Sequence, residues 1–408
     1  MIQERLESTS LTREIMSGFA QRTGLVPDNG PPRRYLWTDA FAVCNFLELY
    51  RESGEERFLR DALRLVDQVH HVLGRHREDD LRKGWISGLN EPKGGLHPTL
   101  GGLRIGKERR ERQPGEPFDE RQEWDRDGQY FHYLTKWMHA LDRVARVTGE
   151  ARYHRWAVEL AKTAHAAFTH VPPGGERKLL YWKMSIDLSR PLVTSMGQHD
   201  PLDGLITYRQ LEAGIGRFGA IGTGLDLGVE IVEMAEVCEE MCWRTLDPLG
   251  IGGLLTDVCH LAQLTVLDDL PDSEGHELLL EHLLDDAVES LENWVHTDPL
   301  SLPLPCRLAF RELGLSIGLA AVGKTRDLVA GHPGKFPNRR SLENTLEDLA
   351  RCLPWRDEID EFWLRASSQE NGSWQAHREI NSVMLATSLA PDSYLMLENE
   401  ALPAASSI

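Results

Sequence analysis

The chain has 408 residues and a formal net charge of −19 at pH 7, because 64 acidic side chains outnumber 45 basic ones. This charge disfavours nucleic acid as a partner, since phosphate binding needs a concentrated basic surface. Hydrophobic residues make up 41% of the chain, which is enough for a large core, and the most apolar stretch, 249–267, contains Asp257 and His260 and so does not predict a membrane span.

A repeated turn in the first part of the chain predicts paired helices. The motif comprises Arg51, Gly54, Glu55, Arg57, Phe58, Ala62 and Leu65, and it recurs as Arg146, Gly149, Glu150, Arg152, Tyr153, Ala157 and Leu160. In both copies a glycine lies between two segments of helical periodicity, and glycine readily adopts the left-handed conformation that ends a helix. Repetition of such a hairpin is typical of helical toroids and solenoids.

The same hairpin can be traced six times, which predicts an all-α fold, an (α/α)6 toroid of about twelve helices in a single domain, 1–408. The outer helices are predicted at 6–20, 55–74, 151–170, 225–243, 277–297 and 341–366. The inner helices are predicted at 33–52, 126–147, 202–214, 251–267, 305–321 and 377–390. The longest connection, 76–125, is predicted to cover the face at which the inner helices begin, and 318–340 is predicted to be an irregular connection.

Aromatic and polar side chains recur where the predicted inner helices begin. Flat aromatic rings match the apolar faces of sugar rings, and carboxylates and arginine bind sugar hydroxyl groups, so this pattern predicts a carbohydrate site. The residues expected to bind substrate are Tyr35, Trp37, Asp39, Trp124, Asp125, Tyr130, His132, Trp182, Arg311, Trp374 and His377. For Asp39, Asp125 and Asp203, helix capping is the alternative interpretation.

Hydrolysis of a glycosidic bond needs one carboxyl group that carries a proton and a second that is ionised. The candidate catalytic residues are Asp127, Asp203, Asp200, Glu379 and His199. Asp127 is the predicted acid, because Trp124 and Asp125 lie close in sequence and would raise its pKa by desolvation and repulsion. The opposing base is predicted to be Asp203 or Asp200, with Glu379 as the third candidate.

The chain resembles the six-hairpin, or (α/α)6 barrel, superfamily in its hairpin count, its alternating helices and the segments LWTDAF and EWDRDGQYFHYLTKWMHAL. That superfamily includes intracellular glycoside hydrolases, unsaturated glucuronyl hydrolases, N-acylglucosamine 2-epimerase-like isomerases and polysaccharide lyases. The resemblance implies a carbohydrate-active enzyme, with hydrolysis of short oligosaccharides as the first expectation. Epimerisation, isomerisation or lyase chemistry by histidine and tyrosine is the alternative. The histidines that correspond in type to those of the epimerase-like branch are His132, His199, His260 and His377.

Two further functional classes are compatible with the sequence. A toroid could bind a sugar or a protein without catalysis, because a fold does not imply an activity. An isoprenoid cyclase is a minor alternative, based on the strings QENGSW at 369–374 and DDLPD at 268–272. Pro271 speaks against the second string, since proline disrupts the helix that would carry a magnesium-binding motif.

The sequence predicts neither a cofactor nor a metal. No dinucleotide or phosphate loop is found, and the six cysteines, which lack metal-type spacing, are expected to be reduced.

The first five residues do not have the pattern of a signal peptide, which predicts a cytoplasmic protein. The expected partner is a small carbohydrate, without nucleic acid or membrane, and a homodimer is left open.

Overall fold

The computed structural model describes residues 2–26, 30–218, 225–267, 273–365 and 372–398. Helices dominate these ranges, which confirms the predicted all-α class. The chain divides into two compact units, one formed mainly by residues 20–239 and the other by the first helix together with residues 240–398. A single domain over the whole chain stays a prediction.

The unit of residues 20–239 contains three consecutive helical hairpins. Its helices are α2 (Leu36–Ser53), α3 (Glu56–Leu73), α4 (Glu91–Leu96), α5 (Glu120–Asp125), α6 (Phe131–Thr148), α7 (Ala151–Phe168), α8 (Asp200–Phe218) and α9 (Gly228–Cys238). The predicted inner helices α2, α6 and α8 pack side by side, and each packs against the predicted outer helix that follows it, α3, α7 or α9.

The repeated sequence motif forms the same turn twice. Gly54 ends α2 with φ 68°, and Gly149 ends α6 with φ 73°, so both adopt the left-handed conformation that the sequence predicts. Phe58 and Tyr153 occupy matching buried positions on the outer helices, with exposed fractions of 2% and 4%. The repeat therefore reflects one αα-hairpin used twice.

Short strands join the connections that lead into α6 and α8. Strands β1 (Gln129–Tyr130), β4 (Lys183–Met184) and β5 (Pro191–Val193) form an antiparallel sheet in the order β1-β4-β5, and β2 (Thr169–His170) pairs with β3 (Leu179–Leu180). Tyr130 lies opposite Lys183 in the register. These strands, which the sequence pattern does not predict, bring the segment before α6 beside the segment before α8.

The long connection 76–125 covers the predicted face only in part. The N–H of Leu36 donates to the carbonyl of Ile105 (3.0 Å), and the N–H of Ile105 donates to the carbonyl of Gly128 (2.8 Å), so this portion lies at the starts of α2 and α6. An earlier portion packs on an outer helix instead, where the hydroxyl of Thr99 donates to the carbonyl of Trp156 on α7 (2.8 Å).

The unit of residues 240–398 contains the remaining hairpins. Its helices are α1 (Ile2–Arg22, in large part), α10 (Pro248–Leu267), α11 (Ser273–His296), α12 (Ala309–Gly331), α13 (Arg339–Ala350), α14 (Pro354–Leu364), α15 (Gly372–Ala376), α16 (Arg378–Leu389) and α17 (Asp392–Leu395). Helix α10 packs against α11 and α12, and α12 packs against α13, α14 and α16.

Two boundaries in this unit differ from the sequence prediction. Helix α12 continues to Gly331, so the predicted irregular connection 318–340 is wrong over its first half. The predicted outer helix 341–366 is two helices, because Pro354, which lacks a backbone N–H, begins α14.

Within the described ranges, only α10 is long and apolar enough to cross a membrane by length and composition. Of its most apolar window, 78% is buried inside the protein, as in a core helix. Both polar residues noted in the sequence, Asp257 and His260, are also buried here, with exposed fractions of 5% each.

Candidate functional site

Seven aromatic side chains of the unit 20–239 form one continuous group, which we call the aromatic cluster. Its members are Tyr35, Trp37, Trp124, Tyr130, His132, Tyr133 and Trp182, and the ring centroids of neighbouring members lie 4.8–6.5 Å apart. They come from the start of α2, the segment from α5 to α6 and strand β4 with its flank. The structure thus brings together six of the residues that the sequence predicts for sugar binding.

His132 lies at the centre of the aromatic cluster. Its ring stacks on Tyr130, with centroids 5.3 Å apart and planes inclined by 29°, and more distantly on Trp182 (6.4 Å, 22°). Trp37 approaches His132 by its edge, and its indole Nε1 is buried without a hydrogen-bond partner among the described residues. Since buried donors are normally paired, this N–H is available to a ligand.

Asp127 is fully buried, with an exposed fraction of 0%. Its Oδ2 accepts hydrogen bonds from Arg104 (2.9 Å) and Arg77 (3.2 Å), and its Oδ1 accepts from the N–H groups of Gly106 (2.9 Å) and Gly128 (3.1 Å). That Asp127 donates a proton to substrate stays a prediction, and these contacts favour a structural role instead. Two guanidinium groups compensate its charge, and no part of the carboxylate reaches the surface.

Gln129, the first residue of strand β1, is also held by hydrogen bonds. It is fully buried, accepts a hydrogen bond from the N–H of Leu103 (2.8 Å) and donates to the carbonyls of Gly101 (3.0 Å) and Ile186 (2.6 Å). These hydrogen bonds join strand β1 to the segment 101–103 and to Ile186.

A buried lysine lies under the ring of Tyr130. Lys183 has an exposed fraction of 0%, and its Nζ lies 5.3 Å from the centre of that ring. The ammonium donates to Oε1 of Glu123 (3.0 Å) and to the carbonyls of Glu123 (2.7 Å) and Arg126 (2.8 Å) at the end of α5. Burial lowers the pKa of Lys183 to about 8, although Glu123 opposes this shift. Lys183 thus anchors both Tyr130 and the helix that carries Trp124.

Asp200 begins α8 next to the aromatic cluster. Its exposed fraction is 6%, and its Oδ1 lies 3.5 Å from Nδ1 of His132. Its Oδ2 is buried without a hydrogen-bond partner among the described residues. A buried carboxylate oxygen without a partner is costly, so we regard this atom as the best candidate for contact with a reacting group.

Asp203 has a different environment, although it lies one turn further along α8. Its Oδ1 accepts from Nζ of Lys136 (2.5 Å) and its Oδ2 from the hydroxyl of Thr135 (2.5 Å). Both partners belong to α6, so the contact also joins two inner helices. The two acids therefore differ: Asp203 is paired with a cation, and Asp200 keeps an unpaired oxygen.

No protein-family model matches the chain, and no curated protein matches it. Solved structures do match. The chain is similar to the GH76 alpha-mannanase of Bacteroides thetaiotaomicron, with 8% identity, coverage of 94% of this chain and 96% of that one, and a TM-score of 0.53. It is also similar to cellobiose 2-epimerase of Bacillus thermoamylovorans, with 12% identity, coverage of 95% and 99%, and a TM-score of 0.50. The chain has the (α/α)6 fold.

This result confirms the predicted fold class and the resemblance to the six-hairpin superfamily. At 8–12% identity the likeness shows the (α/α)6 fold and does not transfer an activity. The two structures are named for different activities, a mannanase and an epimerase, so the reaction of this chain has to be argued from its own residues.

Three other predicted residues of the unit 20–239 are not part of the pair formed by Asp200 and Asp203. Asp39 accepts a hydrogen bond from the N–H of Tyr35 (2.9 Å) and lies 3.4 Å from Arg34, so it serves the first turn of α2, as the capping interpretation expects. Asp125 is exposed at the end of α5. His199 is half-buried, and its carbonyl accepts from the N–H of Asp203 (3.0 Å).

Four predicted residues belong to the unit 240–398, and a place for them in one site with the aromatic cluster stays a prediction. Trp374 is buried and stacks on Trp363, with centroids 5.8 Å apart. Arg311 is half-buried and pairs with Asp247 (2.7 Å). The last two members, at the start of α16, are the exposed His377 and the half-buried Glu379.

Tyr133 and Lys136 on α6 are absent from the predicted site residues, although the sequence pattern contains both. Tyr133 follows Tyr130 by three positions, and Lys136 follows His132 by four, spacings that place side chains on one helix face. Lys183 directly follows Trp182, so its place near the site could be predicted, whereas its burial under Tyr130 could not, because it lies in a strand of two residues.

Among the described residues, no group of three histidine, cysteine, aspartate or glutamate side chains is arranged to hold a metal ion. The string DDLPD at 268–272 lies outside the described residues, as does the first half of QENGSW at 369–374.

Proposed function

We propose that the chain is a carbohydrate-active enzyme and that its active site comprises the aromatic cluster with Asp200 and Asp203. The observation that carries this proposal is the buried, unpaired Oδ2 of Asp200 beside a wall of aromatic rings. Aromatic faces bind the C–H faces of sugars, and an unpaired carboxyl oxygen can exchange a proton with a sugar oxygen. The fold is consistent with this class.

The first candidate reaction is glycoside hydrolysis of a short oligosaccharide. Asp200 would donate its proton to the glycosidic oxygen as the bond to the anomeric carbon breaks. Asp203, paired with Lys136 at 2.5 Å, would be the charged carboxylate that takes a proton from the water attacking that carbon.

The second candidate is epimerisation or isomerisation of a sugar, and a specific contact favours it. In this reaction His132, whose Nδ1 lies 3.5 Å from Oδ1 of Asp200, would be the base that takes a proton from a carbon next to a carbonyl. The hydroxyl groups of Tyr35 and Tyr133, 2.6 Å apart, would supply a neighbouring proton donor.

The two candidates can be separated by product analysis in deuterated water. The purified protein would be incubated with aryl glycosides, unsaturated uronic disaccharides and reducing disaccharides, and the products followed by NMR. Hydrolysis releases a sugar without deuterium on carbon, whereas proton abstraction places solvent deuterium at the epimerised carbon. Variants Asp203→Asn and His132→Gln would be compared with His71→Gln, which changes an exposed histidine of α3.

Each reaction predicts a different pattern of loss. Hydrolysis predicts a loss of about a hundredfold or more in Asp203→Asn and a smaller loss in His132→Gln. Epimerisation predicts the reverse, together with deuterium in the product. Absence of turnover on every substrate would count against the enzyme proposal and favour a toroid that binds without catalysis.

A further inference from the structure

Most cations around the aromatic cluster are paired with acids. Those with a carboxylate oxygen within 4.0 Å are Arg34, Arg77, Arg82, Arg104, Arg112, Arg126, Lys136 and Lys183. Such pairing is the usual condition for a cation that is shielded from water. The charges of these side chains are therefore already compensated within the protein.

Lys107 has no such acidic partner among the described residues. It is half-buried, and within the described parts of the chain no carboxylate oxygen lies within 4.0 Å of its ammonium group. Its Nζ donates to the backbone carbonyl of Trp124 and lies 5.9 Å from the ring centre of Tyr130. Its own N–H is held by Oδ1 of Asp127 at 3.4 Å, which fixes the backbone from which the side chain extends.

The protein compensates the charge of Lys107 only in part. Burial lowers the pKa of Lys107, while Asp125, Asp127 and Glu123 oppose that shift only from a distance. An ammonium group has three N–H donors, and the carbonyl of Trp124 uses one of them. Two donors therefore remain beside the ring of Tyr130, and no acid pairs directly with the ammonium group among the described residues.

We propose that Lys107 binds an anionic substituent, a carboxylate, sulfate or phosphate group, of the sugar that packs against Trp124 and Tyr130. An oxyanion at this place would supply the missing charge partner and accept the unused N–H groups. This inference rests on the proposed function, because it assumes that the aromatic cluster binds a sugar. It adds the class of sugar, an acidic one.

The test measures binding, so that it does not depend on turnover. Quenching of tryptophan fluorescence would be titrated with methyl β-glucuronide, glucose 6-sulfate, glucose 6-phosphate and the neutral methyl β-glucoside. Wild type would be compared with Lys107→Gln, which removes the charge, and Lys107→Arg, which keeps it. Lys83→Gln is the matched control, because Lys83 is exposed and donates to the carbonyl of Glu78.

We expect at least one anionic sugar to bind about tenfold or more tightly than the neutral glycoside in wild type, as for a charge-assisted hydrogen bond. Lys107→Gln should abolish that preference, while Lys107→Arg and Lys83→Gln retain it. The anion that gives the largest ratio identifies the substituent.

Equal binding of charged and neutral sugars, or a preference that survives in Lys107→Gln, would overturn the inference and leave the proposed function intact. Absence of binding by every sugar would count against both. Binding of anionic sugars combined with absence of turnover would support the inference and contradict the enzyme proposal.

Discussion

Nδ1 of His132 lies 3.5 Å from Oδ1 of Asp200, so the starts of α6 and α8 meet through an imidazole and a carboxylate. One turn further along both helices, Lys136 and Asp203 meet at 2.5 Å. The second contact is a closed ion pair. The first leaves an oxygen of Asp200 unpaired, and this difference is the reason for assigning proton transfer to Asp200.

Asp127→Asn is expected to destabilise the fold. Breaking a buried ion pair by removing one partner costs about 3–5 kcal/mol, because Arg104 would lose its carboxylate and Arg77 would keep only Asp79. Urea unfolding would measure the free energy of unfolding, with Asp125→Asn, an exposed neighbour, expected to change it by about 0.5 kcal/mol or less. Unchanged stability combined with lost turnover in Asp127→Asn would restore this residue as a catalytic candidate.

Gly197→Ala is expected to impair turnover without unfolding the protein. A Cβ at Gly197 would lie 2.5 Å from Oδ1 of Asp200, so the carboxylate would have to move. Displacement of a reacting group by about 1 Å can cost about a hundredfold in rate. The control is Gly216→Ala on α8, where a Cβ meets nothing within 4 Å. Equal kcat values in both variants would show that the position of Asp200 does not matter for turnover.

Asp360→Asn is expected to stabilise the protein at neutral pH. Burial raises the pKa of Asp360 to about 6, although the hydroxyl of Ser316 donates to its Oδ1 at 2.7 Å. Because the folded-state pKa lies above the ordinary value of 3.8, the folded chain keeps a proton that the unfolded chain has released. Stability therefore falls as the pH rises through this window, and the cost, about 3 kcal/mol, is fully present above about pH 6.

Urea unfolding at about pH 4 and about pH 7 would measure this effect. The gain in Asp360→Asn should be present at the higher pH and nearly vanish at the lower one. Asp357→Asn, an exposed acid on the same helix, should show no such difference. A gain in the free energy of unfolding that is equal at both pH values would contradict the raised pKa of the buried Asp360 carboxyl.

Gly252→Ala is expected to destabilise the packing of α10 on α12. A Cβ at Gly252 would overlap the carbonyl oxygen of Gly314, and one at Gly318 would lie 2.5 Å from the Cα of Gly252. Overpacking of this kind costs about 1–3 kcal/mol. The adjacent Gly253→Ala is a matched control, because its Cβ meets nothing within 4 Å and alanine favours a helix by about 1 kcal/mol over glycine. Equal unfolding free energies for the two variants would contradict the close backbone contact.

The fold could be predicted because its signals are local. The glycine turns at Gly54 and Gly149 and the apolar periodicity around them depend only on nearby residues, and both copies form as predicted. The same local signals predict where α2 and α6 begin. Trp37 and His132 belong to these two starts, and their ring centroids lie 6.1 Å apart in the structure.

The environment of each acid could not be predicted, because it depends on partners that are distant in sequence. Arg77 and Arg104, which neutralise Asp127, come from the long connection before α6, where no periodicity indicates the path of the chain. Nearness in sequence suggested that Trp124 and Asp125 would act on Asp127, but the two arginines determine its surroundings.

The most direct test of the account is the turnover of Asp200→Asn on whichever sugar the wild type converts. The account predicts a loss of kcat of about a hundredfold or more, with retained sugar binding and an unchanged free energy of unfolding. Asp226→Asn, which changes an exposed aspartate before α9, should keep wild-type turnover. Wild-type turnover in Asp200→Asn would contradict the central claim that this carboxyl transfers the proton.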